Sequence, residues 1–147
     1  MAHVRKTIRD NIVTACTGLT TTGSRVYRSR VYPLDTTNLP GLCIYTRSED
    51  IEVDTLTRPR SHNRNLSIVV EAYVRGPSNF DNSLDTIATE IEVALTADVT
   101  RGGNAKDTYL ASTEFEFADE GELPIAFARM TWAVEYRTSE TAPETAT

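Results

Sequence analysis

Val4, Ile8, Ile12, Ala15, Cys16 and Leu19 recur at three- and four-residue spacing. That period draws one apolar stripe down a helix over about residues 3–18. Arg5, Arg9 and Asp10 stand off the stripe, and Gly18 is its stop signal. Phe80, Leu84, Ile87, Ala88, Ile91 and Leu95 draw a second stripe, so another helix is expected over about residues 79–98. Gly76-Pro77 closes the segment before it, Ser78 or Asn79 supplies the N-cap, and Asp81 suits the positive end of the helix dipole.

Elsewhere the period is two. Leu66, Ile68, Val70, Ala72 and Val74 alternate with Ser67, Val69, Glu71, Tyr73 and Arg75, as in a half-buried strand. Residues 42–47 form a strand after the Pro40-Gly41 break, and 48–53 either extend it or pair locally. Residues 25–32 suit a short, charged edge strand ending before Pro33. Residues 109–117 and 125–137 are two long strands joined as a hairpin by Asp119-Glu120-Gly121-Glu122. In the last strand Ala126, Ala128, Met130, Trp132, Val134 and Tyr136 share one face.

Between strands, residues 54–65 lack apolar periodicity and contain Pro59, so they read as a long hairpin arm or an exposed loop. Residues 20–24 are a loop, 101–107 a flexible connection, and 139–147 a small, polar tail expected to be disordered. The sum is one α+β domain over residues 1–138. It has a mixed, mainly antiparallel sheet with two helices packed on one face, plus an extended loop or hairpin arm. At 147 residues a single core is expected, and the 39% hydrophobic content suits a thin two-layer domain that completes its burial against copies of itself.

Charge divides along the chain. Residues 1–75 hold eleven Lys or Arg against seven acids, whereas residues 107–147 hold two against nine. A basic front and an acidic back suit head-to-tail packing of subunits. They suit a nucleic-acid binder less, because the overall charge of −6 repels phosphate. The basic residues are nearly all Arg, which is enriched at protein interfaces where Lys is depleted.

Candidate chemistry is sparse. Cys16 and Cys43 fall on apolar positions and read as small buried hydrophobes. Two cysteines and two histidines at this spacing make no zinc site. A catalytic base would have to be His3 or His62, the first beside the chain terminus and the second among arginines. Asp119, Glu120 and Glu122 lack the ordered spacing of a calcium loop and read as a solvated hairpin tip. Trp132, Tyr109, Phe115 and Phe117 lie in the most acidic third, which favours packing over base stacking. Arg58, Arg60, His62 and Arg64 are either a solvated loop or an arm that grips another protein. No catalytic residue, metal or cofactor is expected, and no segment has the roughly 18 apolar residues of a membrane span. No apolar signal core opens the chain, so synthesis in the cytoplasm is expected.

The element order resembles the tail terminator proteins of long-tailed bacteriophages, the lambda minor tail protein U group. The matching features begin with the helix over residues 3–18 and the string Leu39-Pro40-Gly41-Leu42-Cys43-Ile44-Tyr45. The polar arm after Ile51-Glu52-Val53 and the strand Leu66-Ser67-Ile68-Val69-Val70-Glu71-Ala72-Tyr73-Val74 follow. The helix with Leu84, Ile87, Ile91 and Leu95 and the closing Trp132-Ala133-Val134-Glu135-Tyr136 complete the pattern, over residues 3–137.

The resemblance implies a non-enzymatic virion protein, made in the host cytoplasm and placed at the head-proximal end of the tail. It implies a hexameric ring that caps the tail tube, stops its polymerisation and offers the head-attachment surface. Its partners would be copies of itself, the tail tube protein and the head–tail connector protein, with DNA passing through the lumen without specific binding. The Arg58–Arg64 arm would touch the tube or a neighbour, and the Asp119, Glu120, Glu122 hairpin would contribute to the lumen or a ring face. Three competing readings stand beside this one: an adjacent head–tail connector or neck subunit, a small α+β ligand-binding or enzyme domain, and a standalone nucleic-acid-binding module.

Overall fold

The computed structural model describes residues 2–28, 40–75, 80–118 and 125–147. The Ser78 or Asn79 cap, the turn with Asp119, Glu120 and Glu122, and residues 29–32 of the expected first strand lie outside the described residues.

Helix α1 spans Val4–Cys16. Its first turn is capped by His3, whose imidazole Nδ1 accepts the Arg5 N–H at 3.1 Å. The chain leaves the helix at Thr17, and Gly18 turns with φ 89°, a left-handed value that glycine adopts without strain. Helix α2 spans Phe80–Thr96. Val4, Ile8, Ile12, Val13 and Cys16 of α1 and Leu84, Ile87, Ile91 and Leu95 of α2 are sealed into one core. Each such aliphatic side chain contributes about 1.5–3 kcal/mol by leaving water.

The sheet has six strands: β1 (Val26–Tyr27), β2 (Gly41–Val53), β3 (Ser61–Arg75), β4 (Asp107–Ala118), β5 (Ile125–Ser139) and β6 (Ala142–Ala146). Their order is β1-β2-β3-β5-β4, with β6 paired to the end of β5. Among the described residues only the short β1–β2 pairing is parallel. Both helices pack on the face that carries Leu66, Ile68, Val70 and Ala72 of β3 and Ala126, Ala128, Met130, Trp132 and Val134 of β5. The α+β class and the face expected for β5 are therefore observed.

Two register shifts redirect side chains. In β2 the shift lies between Thr46 and Ser48. Leu42 and Ile44 face the helices before it, and Glu49, opposite Leu66, faces them after it. In β4 the shift lies between Leu110 and Ser112, so Phe115 and Phe117 come to lie opposite Ala128 and Ala126 on the helix side. A bulge inserts one residue and so inverts the alternation beyond it.

Three sequence expectations need correction. Residues 54–65 are not all arm: β3 begins at Ser61, and the connecting tip is only residues 54–60. Polar Ser61, His62 and Asn63 extend the ladder because β2 and β5 flank them on both sides. Residues 101–107 begin as a hydrogen-bonded turn rather than a flexible connection. Asp98 accepts the Thr100 and Gly102 N–H groups at 3.0 and 2.9 Å, and Thr100 O accepts from Gly103 and Ala105. Residues 142–146 of the expected tail form β6, with Thr138↔Ala146 and Ser139↔Ala142 registers, and Ala146 packs against the core.

Candidate assembly interface

The hairpin tip between β2 and β3 is closed at its base and bare at its end. Asp54 N donates to Ser61 O at 2.7 Å, and Ser61 N donates to Thr55 Oγ1 at 3.0 Å. Arg137 of β5 holds Asp54 at 3.3 Å, and Glu140 N donates to Arg60 O at 2.8 Å. Beyond that base Leu56 is 94% exposed, and Ile51 and Val53 on the adjoining strand are each 51% exposed. Arg58 is exposed and Arg60 is half-buried; neither forms a salt bridge among the described residues.

The four arm residues do not act together. Arg64 is buried, turned to the helix side, and paired to Glu49 Oε1 at 2.7 Å. It donates to Thr138 Oγ1 at 3.0 Å, and its guanidinium lies 5.9 Å above the Tyr136 ring. His62 is half-buried, its Nδ1 3.5 Å from Arg64 Nη2. Arg58 and Arg60 alone remain at the tip. Glu49 also accepts a hydrogen bond from the Tyr136 hydroxyl and meets Arg5 of α1 at 3.5 Å. Burial, and then donation to this carboxylate, raise the Tyr136 hydroxyl's pKa well above its ordinary value.

The sheet face away from the helices carries its own polar centre. Glu71 is fully buried there, and the Tyr45 and Tyr73 hydroxyls donate to its two oxygens. Arg129 reaches Glu71 at 3.5 Å and Glu114 at 3.7 Å, and lies 5.5 Å above the Phe127 ring. Around this centre the strand registers place Asp50, Glu52, Asp107, Glu114, Glu116 and Glu135 on the same face. Arg75, Arg129 and Arg137 share it; Arg75 is exposed, and Arg129 and Arg137 are each engaged by a carboxylate.

Strand β4 ends the sheet on the far side, paired only with β5 among the described strands. Phe115 and Phe117 are 52% and 46% exposed on its helix-facing side, and Tyr109 is 41% exposed on the other. Exposed aromatics at a long sheet edge are atypical of a surface meant to stay in water.

His3, the two cysteines and Arg101 are tied into the fold. His3 spends its Nδ1 on the α1 cap, and burial followed by Arg5 lowers its pKa. Both cysteines are buried, and burial pushes the Cys16 thiol up to about 12. Arg101 is buried and its Nη2 donates to the Leu95 and Asp98 carbonyls, closing the C-terminus of α2. No group of three or more His, Cys, Asp or Glu placed to hold a metal occurs among the described residues, and no helix is long and apolar enough to cross a membrane.

Sequence reasoning missed Glu49, Glu71 and Arg101 as buried charges. For Glu71 a signal was present: its neighbours on the supposed polar side of the strand, Val69 and Tyr73, are themselves apolar or aromatic. Glu49 gave none, because only the β2 register shift turns it inward.

No family model matches the chain, and no curated protein matches it. Among solved structures, it is similar to a chain of the "Virion of native gene transfer agent (GTA) particle", with 14% identity, 90% of this chain and 92% of that chain covered, and a TM-score of 0.42.

Proposed function

We propose that this protein is a structural subunit of a phage virion, a tail terminator that forms a ring on the end of the tail tube, stops its growth and presents the surface to which the head attaches. The observation that carries this reading is the hairpin tip, with Leu56, Ile51 and Val53 left in water beside Arg58 and Arg60. A nearly fully exposed aliphatic side chain on a projecting tip, beside two further exposed aliphatics, is a surface that another protein covers.

Two further features support the reading. The eleven-to-seven basic excess of residues 1–75 and the nine-to-two acidic excess of residues 107–147 give a repeated head-to-tail contact complementary sides. The sheet face away from the helices, where Asp50, Glu52, Asp107, Glu114, Glu116 and Glu135 outnumber Arg75, Arg129 and Arg137, suits a channel wall along which DNA slides, because phosphate binds chiefly to Lys and Arg. On this reading the protein works by contact alone, needs no cofactor, resides at the head-proximal end of the tail, and has the tail tube and the head–tail connector as partners.

The test is an elongation assay. Tube subunits polymerise with and without the purified protein, and tube length is followed over time. Arrest at substoichiometric amounts supports the reading; unchanged elongation with no binding to tube ends overturns it.

A further inference from the structure

We propose that the tip of the β2–β3 hairpin seats on the β4 edge of a second copy of this chain, Leu56 against Phe115 and Phe117, and Arg58 and Arg60 against Glu114 and Glu116. This rests on the ring reading above and names the contact that would close the ring.

The two surfaces lie on opposite sides of the sheet. The tip joins β2 to β3, and β4 ends the strand order on the other side. Surfaces so placed cannot meet within one subunit, but they meet between neighbours related by a rotation, which is a heterologous contact. Their chemistry is also complementary. The tip offers one fully exposed aliphatic side chain with two arginines lacking ion-pair partners among the described residues. The β4 edge offers two half-exposed phenylalanines, and Asp107, Glu114 and Glu116 are its charges, with no Lys or Arg in the strand.

The alternatives for this edge are less favourable. Pairing β4 with the side of a neighbour's β2 that faces away from β3, in one continuous sheet, would set Asp50 and Glu52 beside Glu114 and Glu116 on the same face. Pairing two β4 edges with each other would set Glu114 and Glu116 against their own copies. Like charges placed side by side across strands destabilise the pairing. A basic, apolar tip avoids both conflicts, and a guanidinium matches a carboxylate in planar geometry.

The experiment is a charge exchange read by light scattering and by tube binding on the full chain. Arg58→Glu with Arg60→Glu should weaken self-association at least about tenfold, since it turns attraction into repulsion at the contact. Glu114→Arg with Glu116→Arg should do the same, and the two sets combined should restore assembly. Melting curves of each variant confirm folding; Leu56→Ser is the backup that alters no charge. Restoration by the combined variant supports the docking. Assembly that is indifferent to every variant overturns it and leaves the ring reading standing. Loss of tube binding with an intact ring assigns the tip to the tube and also overturns it. A native chain that never self-associates and ignores tubes overturns both.

Discussion

Arg64 and Glu49 face each other across β2 and β3 at 2.7 Å, with side-chain exposures of 8% and 4%. Two opposite charges withdrawn from water hold one another, and their remaining groups are satisfied by Thr138, Tyr136 and Arg5. This pair anchors the root of the hairpin to α1 and to β5, so the projecting tip stands on a rigid base.

That anchoring separates the arginines of the arm. Arg64→Ser should destabilise the fold by about 3–5 kcal/mol, because it leaves Glu49 buried with the more distant Arg5 as its counter-charge and the Tyr136 hydroxyl as its neutral donor. Arg58→Ser and Arg60→Ser should each stay within about 0.5 kcal/mol of the parent. Urea denaturation of the three variants checks this. Equal effects would mean that Arg64 is not held as described.

Glu71 should behave like Glu49. Glu71→Ala strips the acceptor from the Tyr45 and Tyr73 hydroxyls and the nearer, buried counter-charge from Arg129, and should cost about 3–5 kcal/mol. Glu71→Gln retains an acceptor and should cost less. Denaturant midpoints of the pair give the comparison.

Both thiols should be silent in the native state. Burial that raises the Cys16 thiol to about 12 leaves almost no thiolate at pH 8, and Cys43 is equally shut from solvent. An aromatic disulfide reagent should titrate no thiol in buffer at pH 8 and two in denaturant. Rapid native reaction of Cys16 would contradict the packing of α1 in the helix-side core, and of Cys43 the burial it has beside Tyr73 and Phe127.

His3 gives the fold a mild pH dependence. Its folded-state pKa lies below the ordinary 6.5, from burial first and Arg5 second. The unfolded chain therefore binds more protons between the two values. The His3 contribution is fully present above about pH 6.5 and is lost as pH falls toward the folded-state value. Protonation also removes the lone pair that accepts the Arg5 N–H. His3→Asn, a non-titrating cap, should flatten that part of the stability profile in melts at pH 5.5 and 7.5.

The parts of the fold governed by simple periodicity were legible in the chain. Val4, Ile8 and Ile12 marked α1, Leu84, Ile87 and Ile91 marked α2, and the alternation from Ala126 to Tyr136 named the buried face of β5. What escaped depends on events that periodicity does not encode. The register shifts in β2 and β4 turn Glu49 and the two phenylalanines toward the helix side. Arg101 closes α2 through its side chain, though its position in a Gly-rich stretch suggested only a loose connection. The segment 142–146 forms a strand only because the end of β5 offers it a partner. For the interface, Arg58 and Arg60 of the tip could be read from the polar, Pro-containing stretch they sit in, whereas the engagement of Arg64 required the ladder that brings Glu49 to it.

The most direct measurement is negative-stain imaging of the purified protein alone and mixed with tail tubes. The account predicts closed rings of a size near ~100 kDa for six copies, and a single cap at one end of each tube. Lone monomers at every concentration, with tube ends left bare, would contradict it.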